Sequence, residues 1–339
     1  MKGNYNTVSQ KITKAVNPKI KELLNIYTAP RLRKLVNYQI EAGGKRFRPM
    51  LAVSSCLACG GKMTDVLYPA AGLEILHNYS LIIDDIIDHS RLRRGKPTVW
   101  YKFGTSMAKC AAIDYSAAMF QAANRSKRPV QISELFAKAV KTIVEGEILD
   151  ILFEQSGRTD EKFVVKNRYK KITQKDYFSM AGKKTAALLQ TCCEVGGICA
   201  GAKKKELEAL KNYGFNLGIA FQISDDVLDI FGQQEKFGKK IGNDIKERKL
   251  GNIVIFYALK ELSESDKKRV LSILRKTRIK NGDIREAIKI IKKTKAKEKA
   301  LKLGRKLIAK AKRNLNSLPK NKWNRVLEDI ADFTIERER

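Results

Sequence analysis

The sequence predicts an all-α fold: a single-domain bundle of ten or more helices around a central cavity. Apolar residues recur at helical spacing almost throughout the chain, and alternating stretches of β type are rare and short. Glycine and proline punctuate the periodic stretches, at Gly43-Gly44, Pro49, Gly60-Gly61, Gly95-Lys96-Pro97, Gly196-Gly197, Gly232 and Gly242. At 339 residues and 43% hydrophobic content, the chain is long enough to bury a substantial core. No Pro/Ser-rich linker divides it, so residues 1–339 read as one domain with a basic helical part from about residue 260.

Each element has its own reason. Gly43-Gly44 allows a tight turn, and Pro49 suits the first turn of the helix that follows. Leu73, Leu76, Ser80 and Asp84 form a row at helical spacing, and this helix ends near His89-Ser90. A basic loop, Arg91 to Pro97, comes next. Thr185 to Ala202 is a strongly apolar helix preceded by the cations Lys183 and Lys184. Leu217, Phe221, Ser224 and Leu228 line a further helix that stops at Gly232. Lys292 to Lys306 is amphipathic, with its basic side in water.

Composition narrows the function classes. No 20-residue apolar run is free of polar interruption, and the first residues lack an apolar signal core, which points to a cytoplasmic protein. The six cysteines form no paired CxxC set and read as free thiols, with Cys110, Cys192, Cys193 and Cys199 expected buried. Two histidines make a zinc site a poor reading. The net charge of +32 draws polyanions: nucleic acid, an anionic membrane surface or phosphorylated small molecules.

Two acidic triplets carry the chemistry. They are Asp84, Asp85 and Asp88, and Asp225, Asp226 and Asp229. Helical spacing turns each set toward one side, where carboxylates resist crowding unless cations compensate. Divalent metals bridging two acidic walls across one cavity are the simplest compensation. Arg91, Arg93 and Arg94 directly follow the first triplet, as expected if metals and arginines together grip a diphosphate. Gly43-Gly44-Lys45-Arg46-Phe47-Arg48-Pro49 reads as a second, metal-free anion site, though an ordinary basic turn fits those residues as well. His77 shares a stripe with Leu81, Asp84 and Asp88, and Gly218 and Gln222 share one with Asp225 and Asp229. A diphosphate held by metals, above apolar helix walls, is best understood as a leaving group whose loss exposes a carbocation.

These residues resemble the trans-isoprenyl diphosphate synthase, or polyprenyl synthetase, family over roughly residues 35 to 258. GGKRFRP, DDIID followed by RLRRGKPT, GKKTA, FQISDDVLD and FGKKIGND stand in the family's order. The resemblance implies the isoprenoid synthase fold, a homodimer and about three Mg²⁺ ions. It implies head-to-tail condensation of isopentenyl diphosphate with an allylic diphosphate. Asp84, Asp85, Asp88, Asp225, Asp226 and Asp229 are then metal ligands, and Arg93, Lys184 and Lys239 grip the allylic diphosphate. Lys45, Arg48, His77 and Arg94 hold isopentenyl diphosphate, while Thr185 and Gln222 stand beside the carbocation. Ile83, Ile113 and the run Arg248-Lys249-Leu250-Gly251-Asn252 depart from the family pattern. Tyr79 and small Ser80, just before Asp84, resemble the chain-length determinants of archaeal geranylgeranyl diphosphate synthases, which favours a C20 product. Tyr79 as a simple packing residue is the alternative.

Rival readings are a farnesyl or bifunctional short-chain synthase, a class I terpene cyclase and a non-catalytic subunit. A basic helical protein that binds nucleic acid or membrane without catalysis is of a different class. The motifs favour the synthase without nucleic acid, and leave peripheral contact with anionic membrane open.

Overall fold

The structure, a computed structural model, describes residues 2–232 and 241–336. Its helices are α1 (Lys2–Asn25), α2 (Arg33–Glu41), α3 (Phe47–Ala58), α4 (Met63–Ile87), α5 (Val99–Phe103), α6 (Thr105–Asn124), α7 (Pro129–Leu152), α8 (Lys162–Asn167) and α9 (Gln174–Ala181). They continue with α10 (Ala187–Ala200), α11 (Lys204–Phe231), α12 (Asn243–Lys246), α13 (Ile253–Glu261), α14 (Glu264–Leu274), α15 (Asn281–Ile291), α16 (Ala296–Asn314) and α17 (Lys322–Glu336). Among the described residues the one sheet is a minute hairpin, β1 (Leu92–Arg93) with β2 (Lys96–Pro97). The all-α expectation holds.

The chain groups into two compact units, each discontinuous in sequence. The first comprises Met1–Lys141, Leu188–Phe215 and Ala311–Ala331. Its axis is α4, packed against α1, α3 and α6. A Cβ at Gly72 would meet Ala122 Cβ at 2.7 Å and Phe136 at 2.8 Å, so α4 needs a glycine there.

The second unit comprises Thr142–Ala187, Asn216–Lys310 and Asp332–Arg339. Its core joins Phe153, Tyr177, Met180, Ile219, Ile223, Val227 and Ile230 to Ile245, Ile253–Phe256 and the inner faces of α14 and α15. Asn252 starts α13, its Oδ1 accepting from the Val254 and Ile255 amides at 2.8 and 3.2 Å.

Two local expectations fail. Gly196-Gly197 does not separate helices; it lies inside α10. A Cβ at Gly196 would meet Ala52 O at 2.3 Å, and one at Gly197 would meet Leu207 Cδ2 at 2.8 Å, so these glycines serve close packing. Where burial was expected, Cys199 is half-buried and Cys110 is exposed. It sits on the outer side of α6 with Met107, Ile113 and Phe120, and that apolar side is uncovered in the single chain. All six cysteines are free thiols.

Candidate active site

In the first unit the loop of residues 43–49 meets the hairpin of the basic segment Arg91 to Pro97. Two residues, Arg94 and Gly95, connect β1 to β2, both at positive φ (54° and 75°). This is the geometry of a two-residue hairpin turn, in which the first position normally favours asparagine or glycine. An arginine held there indicates that its placement matters. Arg94 donates to the Gly43 carbonyl. The hairpin is tied to α2 as well: Tyr38 Oη donates to Pro97 O at 2.8 Å and Lys96 Nζ to Glu41 O at 3.3 Å.

Of the loop's three cations, Arg46 turns inward. It is buried, donating to Asn17 Oδ1 at 2.8 Å, Glu74 Oε1 at 3.2 Å and Ile40 O at 3.2 Å. Lys45 stays exposed and Arg48 half-buried. Burial, then the guanidinium groups of Arg48, Arg94, Arg93 and Arg46, push His77 well below the ordinary imidazole range. The expected residues Arg48, His77, Arg93 and Arg94 therefore form one basic cluster, with Lys45 on the same loop. His77 is neutral within it and can offer one N–H to an anion.

The acidic triplets do not point all three carboxylates one way. Asp84 and Asp88 are half-buried, whereas Asp85 is only 2% exposed and faces Arg93. Arg93 Nε donates to both Asp85 oxygens at 2.9 Å, and Nη2 reaches Oδ1 at 2.7 Å. The second triplet repeats the pattern. Asp225 and Asp229 are half-buried, and Asp226 is 2% exposed. Tyr177 Oη and the Ile253 amide donate to Asp226 Oδ2 at 2.8 Å each, and Gln222 Nε2 donates to Oδ1 at 2.8 Å. Gln222 Oε1 accepts in turn from Thr185 Oγ1 at 2.6 Å. Ser80 Oγ donates to His77 O at 2.9 Å, and both Tyr79 and Ser80 are half-buried on α4.

In the second unit Lys184 meets acids that sequence reasoning passed over. Lys183-Lys184-Thr185 lies in a π-helical turn, Gly182–Ala186, of the kind that often marks functional sites. A Cβ at Gly146 would fall 2.2 Å from Lys184 N, and one at Gly218 would fall 2.3 Å from Ala186 Cα, so two glycines clamp this turn. Lys184 Nζ contacts Glu147 Oε2 at 2.6 Å and Asp150 Oδ2 at 2.5 Å. Lys249 Nζ contacts Asp150 Oδ2 at 2.9 Å and Glu247 Oε2 at 2.8 Å. Burial alone would raise the Asp150 carboxyl, but Lys184 and Lys249 hold it well below the usual carboxylate range. The signal for Glu147 and Asp150 was two acids one turn apart in the apolar run Ile143 to Phe153.

Asp244 is a fourth acid beside the second triplet. Its backbone amide and that of Asn243 donate to Asp229 at 3.2 and 2.8 Å, and Asn252 Nδ2 donates to its carboxylate at 2.7 Å. Burial, then repulsion from Asp244, raises both Asp226 and Asp229 well above the carboxylate range. Asp244 itself is raised by burial, against the pull of Lys249. The departing run has its own work: Lys249 joins the ion network, Leu250 is buried, Gly251 packs on Phe153 and Met180, and Asn252 anchors Asp244. Ile83 is half-buried, and Ile113 stands on the exposed side of α6. Lys239 lies outside the described residues.

A family model described as Polyprenyl synthetase matches residues 29–291. The chain belongs to the polyprenyl synthetase family. Its chemistry is that of a trans-prenyltransferase, and its fold is the isoprenoid synthase fold. It is 39% identical over 329 residues to a short chain isoprenyl diphosphate synthase of Methanocaldococcus jannaschii, covering 96% of this chain and 95% of that one. A geranylgeranyl diphosphate synthase of Saccharolobus solfataricus is 37% identical, over 72% of this chain and 71% of its own. The crystal structure of geranylgeranyl pyrophosphate synthetase from Pyrococcus horikoshii superposes with a TM-score of 0.86 at 34% identity, covering 98% of both chains.

The donor set of this polyprenyl synthetase fits a divalent cation of the Mg²⁺ type. Among the described residues, no three His, Cys, Asp or Glu side chains close on one point as a finished metal cage. Mg²⁺ takes one or two carboxylates and completes its shell with water and phosphate oxygens. Half-buried Asp84, Asp88, Asp225 and Asp229 offer such partial sets.

Proposed function

We propose that this prenyltransferase condenses isopentenyl diphosphate with dimethylallyl, geranyl or farnesyl diphosphate and releases geranylgeranyl diphosphate. The observation that carries the reading is the gathering of Arg48, His77, Arg93 and Arg94 beside the first acidic triplet. In this reading residues 1–339 are one catalytic domain acting on one pair of substrates. Asp84, Asp88, Asp225 and Asp229 hold about three Mg²⁺ ions, while Asp85 and Asp226 also orient Arg93 and Gln222. Bound Mg²⁺ neutralises the diphosphate and makes it a better leaving group.

Arg93, Lys184 and Lys239 grip the allylic diphosphate and stabilise the charge it gains on departure. Lys45, Arg48, Arg94 and neutral His77 hold isopentenyl diphosphate. Thr185 and Gln222, linked by their short hydrogen bond, present oxygen dipoles to the allylic cation. The released diphosphate takes the final proton. Tyr79 limits the product to C20.

The exposed apolar side of α6, with Met107, Ile113 and Phe120, supports a homodimer. No described helix is long and apolar enough to cross a membrane, and we place the enzyme in the cytoplasm. The exposed lysines and arginines of α16 suit peripheral contact with anionic lipid. Flotation with phosphatidylserine vesicles at low salt checks that contact, and protein left in the bottom fraction rules it out.

Purified protein with Mg²⁺, isopentenyl diphosphate and each allylic diphosphate should elongate all three to C20. A C15 end point would favour the farnesyl synthase reading. Failure to elongate any of them would reject prenyl transfer.

A further inference from the structure

Lys184 has two carboxylate partners, and they differ. Asp150 is shared: its Oδ2 also meets Lys249 Nζ at 2.9 Å, so Asp150 keeps a cation when Lys184 leaves. Glu147 has no such reserve. Among the described residues Lys184 is its one cation partner, and its other oxygen, Oε1, is buried without a hydrogen bond. The backbone around Lys184 is clamped by Gly146 and, through Ala186, by Gly218. Any change of partner is therefore a swing of the Lys184 side chain, which remains 22% exposed.

We propose that Glu147 is a positioning residue that competes for Lys184, so that an incoming diphosphate must take the lysine from it. The inference rests on the reading of Lys184 as a diphosphate-binding lysine. When the lysine leaves, Glu147 is stranded as a buried, unpaired carboxylate, which is unfavourable. That cost weakens the closed state and draws Lys184 back as diphosphate departs. Glu147 thus trades affinity for release, because a ligand shifts two states only by its differential affinity for them.

The test uses full-length enzyme and Mg²⁺ with inorganic pyrophosphate, followed by calorimetry. Glu147→Gln should bind pyrophosphate about tenfold more tightly, the scale of one charge-assisted bond no longer opposed. KM for the allylic diphosphate should fall without a rise in kcat, a split that loosened packing would not produce. Glu147→Ala, which offers Lys184 no replacement amide, should shift affinity in the same direction. In a Lys184→Ala background, Glu147→Gln should change nothing further, because its effect runs through the lysine. Unchanged or weaker pyrophosphate binding by Glu147→Gln overturns the proposal. Pyrophosphate binding that is indifferent to Lys184→Ala alone overturns instead the assignment of Lys184, and this inference with it.

Discussion

Thr185 Oγ1 lies 2.6 Å from Gln222 Oε1, and this contact fixes which end of the Gln222 amide points where. The carbonyl oxygen faces the threonine, and the amide nitrogen donates to Asp226 at 2.8 Å. A residue on the π-helical turn is thereby coupled to one on α11. Thr185→Val removes the donor and frees the amide to flip. We expect kcat to fall about tenfold, the rate equivalent of about 1.4 kcal/mol, and folding stability to fall by about 1 kcal/mol. Thr185→Ser should restore both. A serine variant as slow as valine would show that the methyl group matters and the hydrogen bond does not.

Asp85 and Arg93 give a separate prediction, because the Asp85 carboxylate is engaged at both oxygens by the guanidinium. Asp85→Asn keeps the shape and loses the charge. Bonds to charged groups contribute about 1.5–3 kcal/mol, so kcat/KM for the allylic diphosphate should fall by about ten- to a hundredfold. The Mg²⁺ concentration for half-maximal rate should change little in Asp85→Asn and rise strongly in Asp88→Asn. Equal shifts in the two variants would make Asp85 an ordinary metal ligand.

His77 supplies a pH signature. In the fold it titrates well below its ordinary value, while an unfolded chain binds that proton near pH 6.5. Below about pH 6.5 the unfolded state therefore carries more protons, and linkage makes stability fall as pH falls. Above that value the contribution is fully present. The wild-type melting temperature should drop more steeply between pH 7 and 5 than that of His77→Gln. Parallel curves would mean that the histidine is not shielded.

Tyr79 is half-buried on α4, five residues before Asp84. If it closes the floor under the growing chain, Tyr79→Ala should shift the products from C20 toward C25 and longer, with turnover of the first condensation kept. An unchanged product spectrum would leave Tyr79 as packing only.

The fold class was legible in the sequence because helical periodicity is a local property. So were the motifs, because their order along the chain is read without knowing any tertiary contact. Arg48, His77 and the adjacent pair Arg93-Arg94 illustrate this: they come from three separate stretches of the chain, and the arginines all act on His77 in the first unit. Gly196-Gly197 was misread because a glycine that permits close packing and one that ends a helix look alike until the neighbouring helix is known. Cys110 was misread because an apolar sequence neighbourhood does not reveal which side of α6 faces outward.

The sequence by itself determined that this protein is helical, carries two acidic triplets and bears the cations that answer them. Only the tertiary structure decided how each triplet divides its labour. Successive helical residues turn by about 100°, which leaves the first and last acids of a triplet within about 40° of each other and the second well to one side. Whether that second acid meets water or core depends on what packs there. In this fold it meets Arg93 in one unit and Tyr177 with Gln222 in the other. The network of Glu147, Asp150, Lys184 and Lys249 was hidden for the same reason, since its members are drawn from α7, the π-helical turn and the segment before α13.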